Sequence, residues 1–134
     1  MKIKGFLAAA VLVFVLFGCG NTKLADVFDE DTVKESAREA VGFLIEGEYD
    51  KAVEMMDSVM KEALTSETLG ANMEAMNAQT GAFQEYKSIA AVGQKDAQGK
   101  DMAVVVIVAA FEKRNVTYTI SFNTEMELAG LWMK

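Results

Sequence analysis

Residues 102–122, MAVVVIVAAFEKRNVTYTISF, constrain the fold more than any other stretch. They read as two long strands joined by a short polar turn. The first half is an almost unbroken apolar run. The second alternates, with Val116, Tyr118, Ile120 and Phe122 apolar and Thr117, Thr119 and Ser121 polar between them. Successive side chains of a strand point to opposite sheet faces, so an alternating strand has one dry face and one wet face. The first strand has no wet face to offer. Met102, Val104, Val106 and Val108 point one way; Ala103, Val105, Ile107 and Phe111 point the other.

The chain upstream supplies a cover. Thr32-x-x-Glu35 fits a capping box, and Val33, Ala37, Ala40, Val41 and Leu44 follow at helical spacing up to Gly47, which predicts a helix over Thr32–Glu46. Asp50 is the expected N-cap of a second helix to Asp57, with Ser58 to Leu64 continuing it or forming a short turn of its own. Thr65 opens a third, running to about Gln79 with Leu69, Met73 and Met76 inward and Gly81 closing it. The period then changes from 3.6 to 2. Strands are expected at Phe83–Lys95, Met102–Phe111, Val116–Phe122 and Leu128–Met133. Helices followed by four sequential strands predict an α+β domain, with N-terminal helices packed on a curved four-stranded antiparallel meander sheet.

The N-terminus has a different character. In residues 1–20, MKIKGFLAAAVLVFVLFGCG, two lysines precede an apolar core from Phe6 to Phe17, shorter than the roughly 20 residues a membrane-spanning helix needs. Leu16-Phe17-Gly18-Cys19 resembles the lipobox of bacterial lipoproteins, with Leu three residues before the cysteine, a small residue just before it, and a bulkier Phe17 than that box usually carries. A lone cysteine can be incidental. This one ends the apolar run, precedes a polar Gly-Asn-Thr-Lys linker, and has no second thiol to pair with. The resemblance implies a signal peptide over residues 1–18, palmitate-bearing lipid on Cys19, a tether over residues 19–31 and one domain over residues 32–134. The mature chain would face outward, held in the bacterial cell membrane by that lipid.

Charge narrows the partners. Thirteen acids against four bases lie between Asp26 and Glu67, whereas the chain beyond is nearly balanced. An acidic surface repels nucleic acid. It could draw cationic partners or a divalent metal, but the simpler reading is solvated helix surface near the membrane.

Further phrases match a known family. Phe43-Leu44-Ile45-Glu46-Gly47-Glu48-Tyr49-Asp50-Lys51-Ala52 resembles the opening of the domain of unknown function 3887. Leu69 followed by Gly81-Ala82-Phe83 is similar to its second phrase, and Ile120-Ser121-Phe122 with Leu128–Met133 to its last strand pair. The resemblance covers Val33 to Met133 and departs at Met73, near where the family often carries Trp. It implies a fold similar to the nuclear-transport-factor-2-like or cystatin-like domains, in which the sheet can leave a pocket under the helices. Some members are exported lipoproteins and some are fused to α/β-hydrolases; this chain has no Gly-x-Ser-x-Gly elbow.

Chemistry is sparse. The chain has no histidine, the commonest general base and metal ligand. It has no phosphate-binding glycine loop, and Asp29-Glu30-Asp31 lacks the spacing of a calcium loop. No cofactor or metal site is indicated. A small isomerase-like enzyme could work with a carboxylate and a tyrosine, Tyr118 being the inward phenol, but such a site needs an acid among apolar neighbours. The leading expectation is a non-catalytic module. It would bind a small apolar ligand, in a pocket lined by Met56, Met73, Met76, Phe83, Tyr118 and Trp132, or a wall-associated partner. Methionines at helical spacing more commonly just fill core gaps against the sheet. The doubly apolar strand adds a homodimeric scaffold as the alternative, with Val104, Val105, Val106 and Ile107 as candidate interface.

Overall fold

The computed structural model describes residues 23–134. The expected signal peptide, Cys19 and the first residues of the expected tether lie outside the described residues. Four helices, α1 (Glu30–Glu46), α2 (Tyr49–Glu54), α3 (Ser58–Ala63) and α4 (Ser66–Thr80), precede four strands, β1 (Phe83–Lys95), β2 (Asp101–Phe111), β3 (Asn115–Phe122) and β4 (Leu128–Met133). The strands form one antiparallel sheet in the order β1-β2-β3-β4. The α+β meander expected from the sequence is what forms.

Helix boundaries follow their caps. Asp29, not Thr32, caps α1, accepting from the Thr32 N–H at 3.0 Å and the Thr32 hydroxyl at 2.8 Å. The carboxylate three residues upstream reaches the free N–H groups first, so the helix starts two residues early. Gly47 ends it at φ 79°, a left-handed conformation open to glycine at little cost. Asp50 is not a cap. It lies inside α2, which starts after Glu48, and accepts from the Ser66 hydroxyl to tie α2 to α4. Asp57 breaks the predicted second helix and caps α3 through the Met60 N–H at 2.9 Å. Thr65 caps α4 as expected.

The register separates the sheet into two faces. On the inner face, Ile89–Ile107–Tyr118–Met133, Ala91–Val105–Ile120–Leu131 and Gly93–Ala103–Phe122–Leu128 form transverse rows. Val33, Ala37, Val41 and Leu44 of α1, Met56, and Leu69 and Met73 of α4 join these rows in one buried cluster. The outer face carries the rows Ser88–Val108–Thr117, Ala90–Val106–Thr119–Trp132 and Val92–Val104–Ser121–Gly130.

Bulges override strict alternation. In β1 the extra residues are Gln84 and Lys87, so Phe83, Tyr86 and Ile89 turn inward at intervals of three. In β4 the extra residue is Ala129. It reverses the parity that Leu128 would otherwise set and sends Trp132 outward.

The segment ahead of α1 crosses the inner side of β1. A methyl group at Gly93 would overlap the Lys23 carbonyl and touch Leu24, so the backbone lies directly on the strand there. Leu24, Ala25 and Phe28 pack onto the core beyond it. The chain therefore enters the domain at the sheet end that carries the β1–β2 and β3–β4 turns. Gly93→Ala is expected to lift Lys23–Leu24 off the strand and to cost on the order of 1–3 kcal/mol, as overpacking does. Urea denaturation measures the loss.

Candidate functional site

Three places could carry function: the space under the helices, a groove beside α1, and the outer sheet face. The six residues expected to line one pocket do not come together. Met56, Met73 and Tyr118 are core residues, each no more than 2% exposed. Met76 and Phe83 pack at its margin. Trp132 stands on the opposite side of the sheet, 60% exposed. Its ring folds back over Gly130, where a methyl group would lie 2.6 Å from the indole. The β4 bulge places it there, and no feature of local composition announces that bulge.

Among the described residues, one buried side-chain polar atom in the core has no partner. Tyr118 is fully buried on β3, and its hydroxyl has no hydrogen-bond partner. Burial pushes this phenol up to about 12, with the nearby Tyr86 phenol adding to the effect. The buried polar or charged residues among those described are Thr80 and Ser121, and neither is an acid. The carboxylate that an isomerase-like site needs is not beside this tyrosine.

The groove beside α1 is open, about 530 Å³, and lined by Thr32, Glu35, Ser36, Arg38, Glu39 and Tyr86. Arg38 stacks on Tyr86 with its guanidinium carbon 4.9 Å from the ring centroid, while the Phe83 ring lies 4.9 Å from the same ring. Burial raises the Tyr86 phenol and Arg38 opposes the shift. Both charge signs line the groove, and no side chain in it is positioned against a second reactive group. Among the described residues, no cluster of acids is arranged to hold a metal ion.

The outer face differs from both. Its three rows hold eleven positions and no charged side chain, in a chain that is 25% charged. Glu85, opposite Ala110, and Lys134, just past β4, stand at its margin. A solvated sheet face ordinarily alternates polar and charged residues outward. Here Val104 is only 8% exposed because its neighbours crowd it, and Val106 and Val108 are half-buried among valine, alanine and threonine. Val104 and Val106 of the proposed interface belong to this face. Val105 and Ile107 do not. Both are fully buried beneath the helices, because adjacent strand residues cannot share a face.

The family profile described as "Protein of unknown function (DUF3887)" matches residues 37–131. The chain belongs to this family. A solved structure with the same fold is an NMR structure of a protein from Ruminococcus gnavus ATCC 29149. It is 24% identical with a TM-score of 0.70, covering 84% of this chain and 97% of that one. Comparison with curated proteins finds no match. The family and the fold are thus established, and neither assigns a reaction.

The buried phenol gives a direct test of core packing. Its pKa in the folded state lies above the unfolded value near 10, so between these values the folded state holds the extra proton. Stability should be complete below pH 10 and fall as pH rises toward 12, by up to about 3 kcal/mol. Tyr118→Phe should remove that alkaline loss and be neutral or stabilising by about 1 kcal/mol at pH 7, since it deletes an unpaired donor. Denaturant titrations at pH 7 and pH 11 measure both effects.

Proposed function

We propose that the protein is an outward-facing lipoprotein module of the bacterial cell membrane that works by binding a protein rather than by catalysis. The observation that carries the binding half is the outer sheet face, whose three rows are charge-free and largely apolar with the exposed Trp132 at their edge. Uncovered apolar faces of this kind mark interaction surfaces, and aromatic residues anchor them. Of the residues expected to line an internal pocket, Met56, Met73 and Tyr118 are core residues and Trp132 lies on the opposite face, which favours this surface over an internal pocket for a small apolar ligand.

The anchoring half rests on Leu16-Phe17-Gly18-Cys19 and the short apolar stretch before it. A lipid with more than one acyl chain on Cys19 holds a protein on a bilayer stably, where a single chain would not. The homodimeric alternative is a narrower form of the same reading.

Cys19→Ser is expected to leave the chain unprocessed or released from the membrane fraction, while urea unfolding of the domain stays unchanged. Fractionation followed by mass determination checks it. Normal processing and full membrane partition of the variant would refute the anchor.

A further inference from the structure

We infer that the partner seated on the outer face is a second copy of this chain, related by a two-fold axis parallel to the strands and to the membrane normal. The inference rests on the anchored-module reading above and names its partner.

Shape is the first argument. Trp132 and Ala90 lie in the same transverse row, at opposite edges of the sheet, through the pairs Ala90–Val106, Val106–Thr119 and Thr119–Trp132. One end of the row is an exposed indole laid back toward Gly130, and the other is a methyl group. A two-fold axis along the strands, midway between β2 and β3, exchanges the edges and keeps each row at its height. Each Trp132 then meets the partner's shallow Ala90–Val92 edge, an isologous contact in which one bulky and one small edge complete each other. An axis across the strands would instead bring the two indoles together at one edge and leave a gap at the other.

The tether is the second argument. Lys23 and Leu24 cross β1 at Gly93, so the chain reaches the domain at one end of the strands. An axis along the strands keeps both tethers at the same end, and two lipids can insert into one bilayer. An axis across the strands would send them in opposite directions. Only the first geometry suits two chains anchored in one membrane.

Charge and area complete the case. Within the strands the three rows hold no charged residue, and Lys134, where the first row runs on past β4, is set by this axis against the partner's uncharged Ser88, although the whole chain is acidic. Four strands about 4.8 Å apart and about seven residues long present about 450 Å² per copy. The pair therefore covers about 900 Å², below the roughly 1,200 Å² typical of stable free-standing complexes. Such a contact is weak between free molecules. Co-anchoring in one bilayer raises the effective concentration and makes it sufficient.

Cross-linking of the full-length lipoprotein in membranes tests the arrangement without touching Trp132 or Ala90. Ser88 and Lys134 sit at opposite ends of one row, through Val108 and Thr117, whose N–H donates to the Lys134 carbonyl at 2.8 Å. Facing sheets pack about 10 Å apart. A short bifunctional maleimide should therefore join a Ser88→Cys chain to a Lys134→Cys chain when the two are co-expressed, and should join neither to itself. Dimer formed by either variant alone overturns the axis, and absence of dimer in the mixture overturns the contact. Adding Thr119→Glu to both chains should cut the cross-linked yield at least about tenfold with no change in the urea midpoint; an unchanged yield counts against the face. Wild-type chain carries only Cys19. Its cross-linking would expose a free thiol there and defeat the anchor reading separately.

Discussion

The structure depends on a strand that is apolar on both faces. Val105 and Ile107 of β2 must be buried on one side, and Val104, Val106 and Val108 cannot be well solvated on the other. A helical layer can cover only one face of a sheet, and α1 and α4 with Met56 cover the inner one. Burying each large aliphatic side chain there contributes about 1.5–3 kcal/mol. That determines which way the helices pack and where the tether must run. It also leaves Val106 and Val108 half-open and Trp132 exposed on the outer side. The same property that drives folding creates the surface proposed for binding.

Two irregularities shape what the surface can do. The Ala129 bulge turns Trp132 outward, and Gly130 provides the space in which its ring lies. Without the bulge, the indole would point toward an interior already filled by Met56, Met73 and Phe122. The cost of filling that interior shows at Tyr118, whose hydroxyl lies in the core without a partner. An unmet donor usually costs about 1–3 kcal/mol, so dense apolar packing prevails over hydrogen bonding at that position. The core is a structural platform, and the charge-poor face lies on its back.

Much of this is legible in the residues. Strand limits at Phe83–Lys95 and Leu128–Met133 follow from turn composition, and the helix stripes follow from Val33, Ala37, Val41 and Leu44. The family phrases lead to the right family. The failures share a cause. Asp29 displaces Thr32 as the cap because two good capping residues stand three apart and only geometry chooses between them. The six-residue pocket fails because it assumes a uniform parity in β4, which one inserted residue reverses. Val105 and Ile107 part from Val104 and Val106 because strand alternation outweighs proximity in sequence.

By itself, the sequence determined the class of fold, its element order and the presence of a doubly apolar strand. These depend on periodicity and local turn chemistry, which neighbouring residues carry within themselves. Only the tertiary structure decided which face of that strand the helices took, that Trp132 stands outside, and that Lys23–Leu24 crosses at Gly93. Each depends on register and on contacts between residues far apart in the chain. A single bulge can reverse such a relation while leaving the composition of every strand unchanged.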